Sequence, residues 1–252
     1  MPTRLLDRLP DAATLLGTAP ARRLEIPLLA QVPRLAHLFT VRGSDPRAAL
    51  QESAGAALPL RTLRQVHGAD VRVFEGPPQD GPFPADVETG DALVISGAGT
   101  ACGVFVADCL PILICDDRTR VAAAVHAGWR GTVAGVLART LAILRERFGA
   151  SPADLRLAFG PAIGSCCFEV GPEVVRSLLE SRPEAASSIL PGPRARIDLA
   201  EANRLQALAA GVRDDRIQAA GLCTRCRPDL LPSYRRDGAG AGRIAGVIAW
   251  TG

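Results

Sequence analysis

Residues 107–132 read ADCLPILICDDRTRVAAAVHAGWRGT and carry two side chains able to bind a soft metal. Cys109 is a soft anionic ligand once deprotonated, and neutral His126 is a borderline one. Together they suit Zn²⁺ or copper better than Mg²⁺ or Ca²⁺. Two apolar runs, 111–115 and 121–125, lie between them, joined by an acidic turn at Asp116 and Asp117. So short a connection predicts a hairpin. Its geometry would set Cys109, just before the first strand, beside His126, just after the second.

His67 is the third candidate. It ends the stretch TLRQVHG (62–68), which alternates as a strand and closes on a glycine. A lone histidine there reads as a hydrogen-bonded structural residue. Beside Cys109 and His126 it completes a two-His, one-Cys set with a fourth tetrahedral position for water or substrate. That is a catalytic rather than a structural zinc arrangement. His37 reads as a core or surface residue. With only three histidines in the chain, a multicopper cluster is excluded, although a single copper suits the same ligands.

Asp91 and Asp108 are carboxylates set against buried strands, and each needs a partner. A bond to a ligating imidazole is one solution and an N–H-rich turn the other. After His126, the loop AGWRGT runs into helical spacing at Val133, Val136, Leu137, Thr140, Leu141 and Leu144. Thr132 is the expected N-cap and Gly149 the expected residue past the C-terminus. Free N–H groups at such a start, with Arg130 close by, suit an anion such as phosphate. Arg64, Arg235 and Arg243 are further cationic candidates, since guanidinium grips phosphate in a bidentate way. The plainer alternatives are a tight glycine turn with Trp129 filling a gap, and a solvated loop at 233–243.

Among the other cysteines, Cys102 and Cys115 lie in apolar runs and belong in the core. The adjacent Cys166 and Cys167 have no neighbouring histidine to activate a nucleophile. Cys223 and Cys226 have CxxC spacing, but Pro228 and Pro232 follow where a thioredoxin-type site wants a helix. No second CxxC or His pair completes a structural zinc site in the sequence.

The elements that must position these residues are read from pattern. Short β-branched runs at 71–74, 90–95, 102–107, 155–159 and 244–250 predict strands, several of them buried. Helices are expected at 48–57, 133–148, 172–180 and 198–210, and a polar Pro/Gly loop at 76–84. Residues 1–33, with Pro10, Pro20, Pro27 and Pro33, predict a loosely packed leader or an edge strand at 23–29. Nearly half of the 252 residues are apolar, and the net charge is +3. This suits one globular domain and excludes a disordered chain. It also argues against nucleic acid, which calls for a concentrated basic face. Seven irregularly spaced cysteines read as thiols or ligands in a reducing compartment. No run approaches a membrane span, and no secretory signal stands out. The expectation is a soluble, cytoplasmic protein with no membrane partner.

Seven stretches together resemble one known family: RQVHG (64–68), GDALV (90–94), ADCLPILICD (107–116), VHAGWRGT (125–132), GPAIGSCCFEVG (160–171), LCT (222–224) and SYRRDGAGAGR (233–243). This is the multicopper polyphenol oxidase or laccase-domain family, whose members are regarded as purine nucleoside phosphorylases with adenosine deaminase activity. Residues 1–33 lie outside the match as a variable leader, within a single domain of 1–252. The resemblance implies zinc held by His67, Cys109 and His126. It implies an α/β (α+β) fold with mixed sheets layered between helices, similar to the catalytic domain of cytotoxic necrotising factor toxins. It further implies phosphorolysis of adenosine, inosine and 5′-methylthioadenosine, and deamination of adenosine, by a monomer or homodimer. Cys109, His126 and Arg130 are then the expected catalytic residues, and Arg64, Asp91, Arg130, Arg235 and Arg243 the expected contacts to nucleoside and phosphate. The rivals are a copper-dependent polyphenol oxidase and a hydrolase using Cys109 as nucleophile and His126 as base.

Overall fold

The computed structural model describes residues 13–76 and 88–252. Strand alternation builds two six-stranded sheets. Numbered in chain order, the first contains β1 (Thr14–Leu16), β2 (Arg23–Glu25), β3 (Leu35–Thr40), β14 (Ile244–Trp250), β7 (Ala101–Val106) and β4 (Leu60–Arg61), side by side in that order. The second contains β13 (Ile217–Ala219), β10 (Arg156–Phe159), β8 (Leu110–Asp116), β9 (Val121–Ala127), β6 (Ala92–Ser96) and β5 (Val71–Glu75). Both sheets are mixed: β4 with β7, β5 with β6 and β10 with β13 run parallel, and the other pairs run antiparallel. A two-stranded ribbon pairs β11 (Ile189–Leu190) with β12 (Arg196–Ile197).

The two sheets pack face to face. Leu24, Phe39, Val104, Ile248 and Trp250 of the first meet Leu93, Ile95, Leu113, Cys115, Ala122 and Ala124 of the second. Because side chains alternate along a strand, the opposite residues face outward and need a second cover. On the second sheet these are Val94, Ile112, Ile114, Ala123 and Val125. They pack under α4 (Val136–Phe148), α5 (Pro172–Ser181) and α6 (Leu199–Ala209). On the first sheet Leu38, Val247 and Ala249 pack under α2 (Pro46–Ala54). The result is four layers: helix, sheet, sheet, helices. The mixed sheets layered between helices are the expected α/β arrangement. Among the described residues, no helix is long and apolar enough to cross a membrane.

The central hairpin forms as expected. Asp116 closes its turn by accepting from the Arg118 N–H at 3.1 Å and the Thr119 hydroxyl at 2.7 Å, the usual way an Asp pins a turn. The expected strand at 62–68 does not form: β4 ends at Arg61, just before it, and only Arg64 makes an isolated bridge; the reason is topological. This segment crosses from the first sheet, where β4 pairs with β7, to the second, where Arg64 bridges Thr89. It cannot stay in register with either. The Gln65 side chain instead exchanges two 2.8 Å hydrogen bonds with the Phe105 backbone, standing in for a ladder.

The helix after His126 starts earlier than Thr132. Gly128 is the N-cap of α3 (Trp129–Ala134), Gly135 breaks the axis in a left-handed conformation, and α4 follows. Thr132 lies buried inside α3 and accepts from Asn203 Nδ2 at 3.0 Å. Gly149 does end α4, donating to Arg145 and Leu144. Near the N-terminus, residues 13–33 are not a loose leader. β2 lies between β1 and β3, and Leu24, Ile26 and Leu29 are fully buried. Residues 1–12, and 77–87 with most of the expected 76–84 loop, lie outside the described residues.

Candidate metal centre

The period of two decides where the hairpin's chemistry points. Even-numbered residues of β6 and β8 and odd-numbered residues of β9 face the helices. Cys109, Asp91 and His126 therefore all fall on the side facing the first sheet. The register pairs Leu110 with Ala127 and Pro111 with His126, so Cys109 comes opposite Gly128. A Cβ on Gly128 would lie 2.7 Å from Cys109 Sγ and 3.4 Å from the His67 ring. Glycine is thus required there by close approach.

The crossing segment delivers the third member. His67, at φ 60°, and Asp108, at φ 81°, both sit in the left-handed region, which non-glycine residues enter only when their surroundings hold them there. One ligand atom from each of His67, Cys109 and His126 lies within 4.8 Å of the others. The two imidazoles meet edge to face, with centroids 4.7 Å apart. His126 is buried, Cys109 half-buried and His67 exposed, so one side of the cluster stays open.

Asp91 is the hub that assembles them. It is fully buried at the start of β6. Its Oδ1 lies 2.8 Å from His126 Nδ1 and accepts from the His67 N–H at 2.9 Å. Its Oδ2 accepts from the N–H of Gly68 at 2.7 Å and of Val66 at 3.3 Å. The carboxylate on Nδ1 leaves His126 Nε2 to face a metal, the usual support of a ligating imidazole. Both oxygens are committed to these bonds, and one of them orients the His126 ring. Burial alone would push its pKa up, but the His126 and backbone hydrogen bonds hold it below the ordinary carboxylate value.

Electrostatics tighten the cluster. Burial raises the Cys109 thiol, yet hydrogen bonds with His126 and His67 more than reverse this and bring it to about 7. Burial lowers His126, and its bonds to Asp91 and Cys109 more than reverse that, raising it to about 9. By themselves these side chains tend toward thiolate and imidazolium. The sulfur is therefore close to its ligand form at neutral pH. The donor set, one sulfur and two nitrogens with an open side and a supporting carboxylate, fits a zinc ion and also fits copper.

Asp108 has a different task from Asp91. Its Oδ1 accepts from the Thr224 hydroxyl at 2.5 Å and its Oδ2 from the Arg235 N–H at 2.6 Å. The N–H of Ile163 donates to its carbonyl at 2.9 Å. This ties the residue before Cys109 to three points far along the chain, Ile163, Thr224 and Arg235. Arg235 also donates to the Glu169 carbonyl at 3.2 Å and borders a groove of about 560 Å³ lined by Glu169, Pro172, Pro193 and Arg194. Arg130 is exposed on α3, its guanidinium 4.4 Å from the Trp129 ring centroid. Arg64 is exposed on the crossing segment, and Arg243 is exposed just before β14. His37 is buried in the first sheet and accepts from the Ile26 N–H at 2.8 Å.

A second cluster escapes the sequence reading. Cys166 and Cys167 meet Cys223 and Cys226, and the four sulfurs lie within 4.8 Å of one another. Each half is inconclusive alone. The bridge between Ala162 and Cys223, with the Gly164 N–H donating to Cys223 Sγ, brings the two turns together. The signal in the sequence was two close-spaced cysteine pairs, each just after a strand-like run.

Residues 42–251 match the family model described as multi-copper polyphenol oxidoreductase laccase. The chain is 37% identical over 198 residues to purine nucleoside phosphorylase YlmD of Geobacillus stearothermophilus, covering 74% of this chain and 72% of that protein. It is 38% identical over 213 residues to a purine nucleoside phosphorylase of Streptomyces coelicolor, covering 82% and 84%. The crystal structure of Geobacillus stearothermophilus YlmD superposes with a TM-score of 0.84 at 28% identity, covering 95% of this chain and all of that one.

Proposed function

We propose that this chain, which belongs to the multi-copper polyphenol oxidoreductase laccase family, acts as a purine nucleoside phosphorylase. Its substrates in this reading are adenosine, inosine and 5′-methylthioadenosine with phosphate, and it also deaminates adenosine. The observation that carries the reading is the open two-His, one-Cys cluster braced by Asp91, in a chain similar to proteins named for that activity.

His67, Cys109 and His126 would hold the zinc, which supplies Lewis-acid chemistry and water activation when bound. With the metal bound, Asp91 would hold the His126 ring in one orientation by accepting from Nδ1–H, leaving Nε2 for the ion. In phosphorolysis a phosphate oxygen bonds to C1′ of the ribose as the C1′–N9 bond breaks. The purine leaves with that electron pair and takes up a proton. The chain must therefore hold a dianion close to a carbon gaining positive charge. Arg130 at the start of α3 is assigned to phosphate first, with Arg64, Arg235 and Arg243 as the further candidates. Deamination exchanges the 6-amino group for an oxygen from water. The H-x-E and P-C-x-x-C pattern of nucleobase deaminases is absent from the sequence, so its proton carrier belongs to this site's own set.

The test is incubation of the zinc-loaded protein with adenosine, with and without phosphate. Adenine and ribose 1-phosphate are expected with phosphate, and inosine without it. Neither product from fully loaded protein overturns the reading. Cys109→Ser is expected to lose the zinc held at this cluster while its circular dichroism stays native.

One arrangement favours a second reading. Asp91, His126 and Cys109 follow the order of orienting acid, base and thiol nucleophile. A chelated protein that turns over esters or amides, and loses this on alkylation of Cys109, would select it. Phenol oxidation by the copper-loaded protein alone would select an oxidase.

A further inference from the structure

We propose that Cys166, Cys167, Cys223 and Cys226 form a second metal site: a closed, four-thiolate zinc site that pins two distant loops together. It is independent of the nucleoside reading above.

The distances carry the argument. A tetrahedral zinc with four Zn–S bonds of about 2.3 Å needs sulfurs roughly 3.8 Å apart. Cys226 Sγ lies 3.7 Å from Cys166 Sγ and 3.4 Å from Cys167 Sγ, and all four sulfurs fall within 4.8 Å of one another. That spacing has room for one ion and none for a cluster of several irons, whose thiolates surround more than one metal. A disulfide needs about 2.05 Å. Here one sulfur stands between two possible partners and is bonded to neither. Four sulfur donors with no oxygen or imidazole select a thiophilic ion.

The surroundings are built for thiolates. The Gly164 N–H donates to Cys223 Sγ at 3.3 Å, the kind of support that holds a ligand in place and disperses its charge. The Cys167 and Phe168 N–H groups both return to the Gly164 carbonyl, at 2.9 and 3.0 Å, so the first pair sits on a tight turn. In the second pair, Cys223 makes the bridge to Ala162 and Cys226 ends the turn 224–226 that follows. Arg236 donates to the Thr224 and Arg225 carbonyls at 2.8 and 3.0 Å, bringing a cation to the backbone of the second turn. Zinc binding would displace thiol protons to solvent without oxidation or reduction.

The two turns also grip Asp108, through Ile163 on one loop and Thr224 on the other. Asp108 directly precedes Cys109. A zinc bound here would brace the strand that presents Cys109, while remaining outside the open cluster itself.

The experiment counts zinc in the reduced, reconstituted full-length protein by mass spectrometry. Two zinc ions per chain are expected in the wild type. One is expected in the Cys166→Ser/Cys226→Ser variant and one in Cys109→Ser. Cobalt substitution adds a spectroscopic readout. Sulfur-to-cobalt charge-transfer absorption should scale with the number of thiolates. It should therefore survive in Cys109→Ser and drop to a minor part in the double variant. A measurement on the wild type guards against misfolding of the variants: Cys166 and Cys226 are exposed yet should resist alkylation until a chelator is added. The proposal is overturned by a wild type that holds one zinc, lost in Cys109→Ser, or by alkylation of Cys166 and Cys226 at equal rates with and without zinc. It is equally overturned by a stable disulfide among the four in zinc-loaded protein. None of these outcomes depends on nucleoside turnover.

Discussion

Asp91→Asn is the most informative single change, because it preserves shape and removes acceptors. The carboxylate takes four hydrogen bonds, two on each oxygen. An asparagine can place its oxygen at the Oδ1 position and keep the contacts to His126 and the His67 N–H. Its NH₂ group then faces the N–H groups of Gly68 and Val66, donor against donor. Two backbone donors lose their partner, each worth about 1–3 kcal/mol when buried. The folded state should lose about 2–6 kcal/mol, toward the lower figure because the Val66 bond is long at 3.3 Å. Zinc affinity should fall about 10–100-fold, the usual cost of removing the group that orients a ligating histidine. The two effects separate by titration. Saturating zinc should restore stoichiometric loading in a competition assay against a chromophoric chelator, and the protein should still melt below the equally loaded wild type. Binding within about threefold of wild type together with an unchanged melting curve would refute the account of Asp91 as the shared hub.

Gly128→Ala adds a methyl group 2.7 Å from Cys109 Sγ; zinc affinity should drop with little change in far-ultraviolet circular dichroism, and equilibrium dialysis reads it. Gly160→Ala should destabilise the sheet-on-sheet core by about 1–3 kcal/mol or more, since its Cβ would collide with the buried Phe39 ring and with Pro111; urea unfolding measures it. His37 should impose an acid limit on stability. Burial lowers it from 6.5 to about 4, the Glu25 carboxylate pulling only partly back. Its folded-state pKa is depressed, so the unfolded chain binds the extra proton first. The stability it confers is present above pH 6.5 and is lost as pH falls toward 4, by about 3 kcal/mol in total. A His37→Gln variant should show a flatter dependence of unfolding free energy over that interval, and an unchanged slope would count against the assignment.

The local elements were largely legible, because their signals are local. The runs flanking Asp116 and Asp117 are apolar, β-branched and separated by a turn, and they became β8 and β9. Gly149 could be placed at the end of α4 because the stop signal lies in the same few residues. What failed was set by tertiary context. The alternation in TLRQVHG is real, but the segment passes between sheets and spends Gln65 on a backbone it could not have identified in advance. Thr132 looked like a cap because its hydroxyl suits one, whereas Gly128 was needed against Cys109 and the helix starts from there. Leu24, Ile26 and Leu29 lie among prolines that break long helices, yet Pro27 opens the short helix α1 (Pro27–Ala30), a position proline tolerates, and prolines do not prevent short strands from burying the residues between them.

The same distinction explains why one cysteine site could be read and the other could not. Cys109 and His126 are joined by a hairpin, so the register carries one to the other and only His67 had to come from elsewhere. Cys167 and Cys226 are 59 residues apart. They meet because β10 and the segment after β13 leave the second sheet in parallel, side by side, from Leu157 opposite Ile217 onward through Ala162 and Cys223. A parallel pair needs a long crossover, here the one containing α5 and α6. Cysteines just past the ends of two such strands are therefore spatial neighbours at any sequence separation. Two cysteine pairs in loops leaving adjacent parallel strands are thus better read together than apart, a comparison that becomes possible only once the strand order is known.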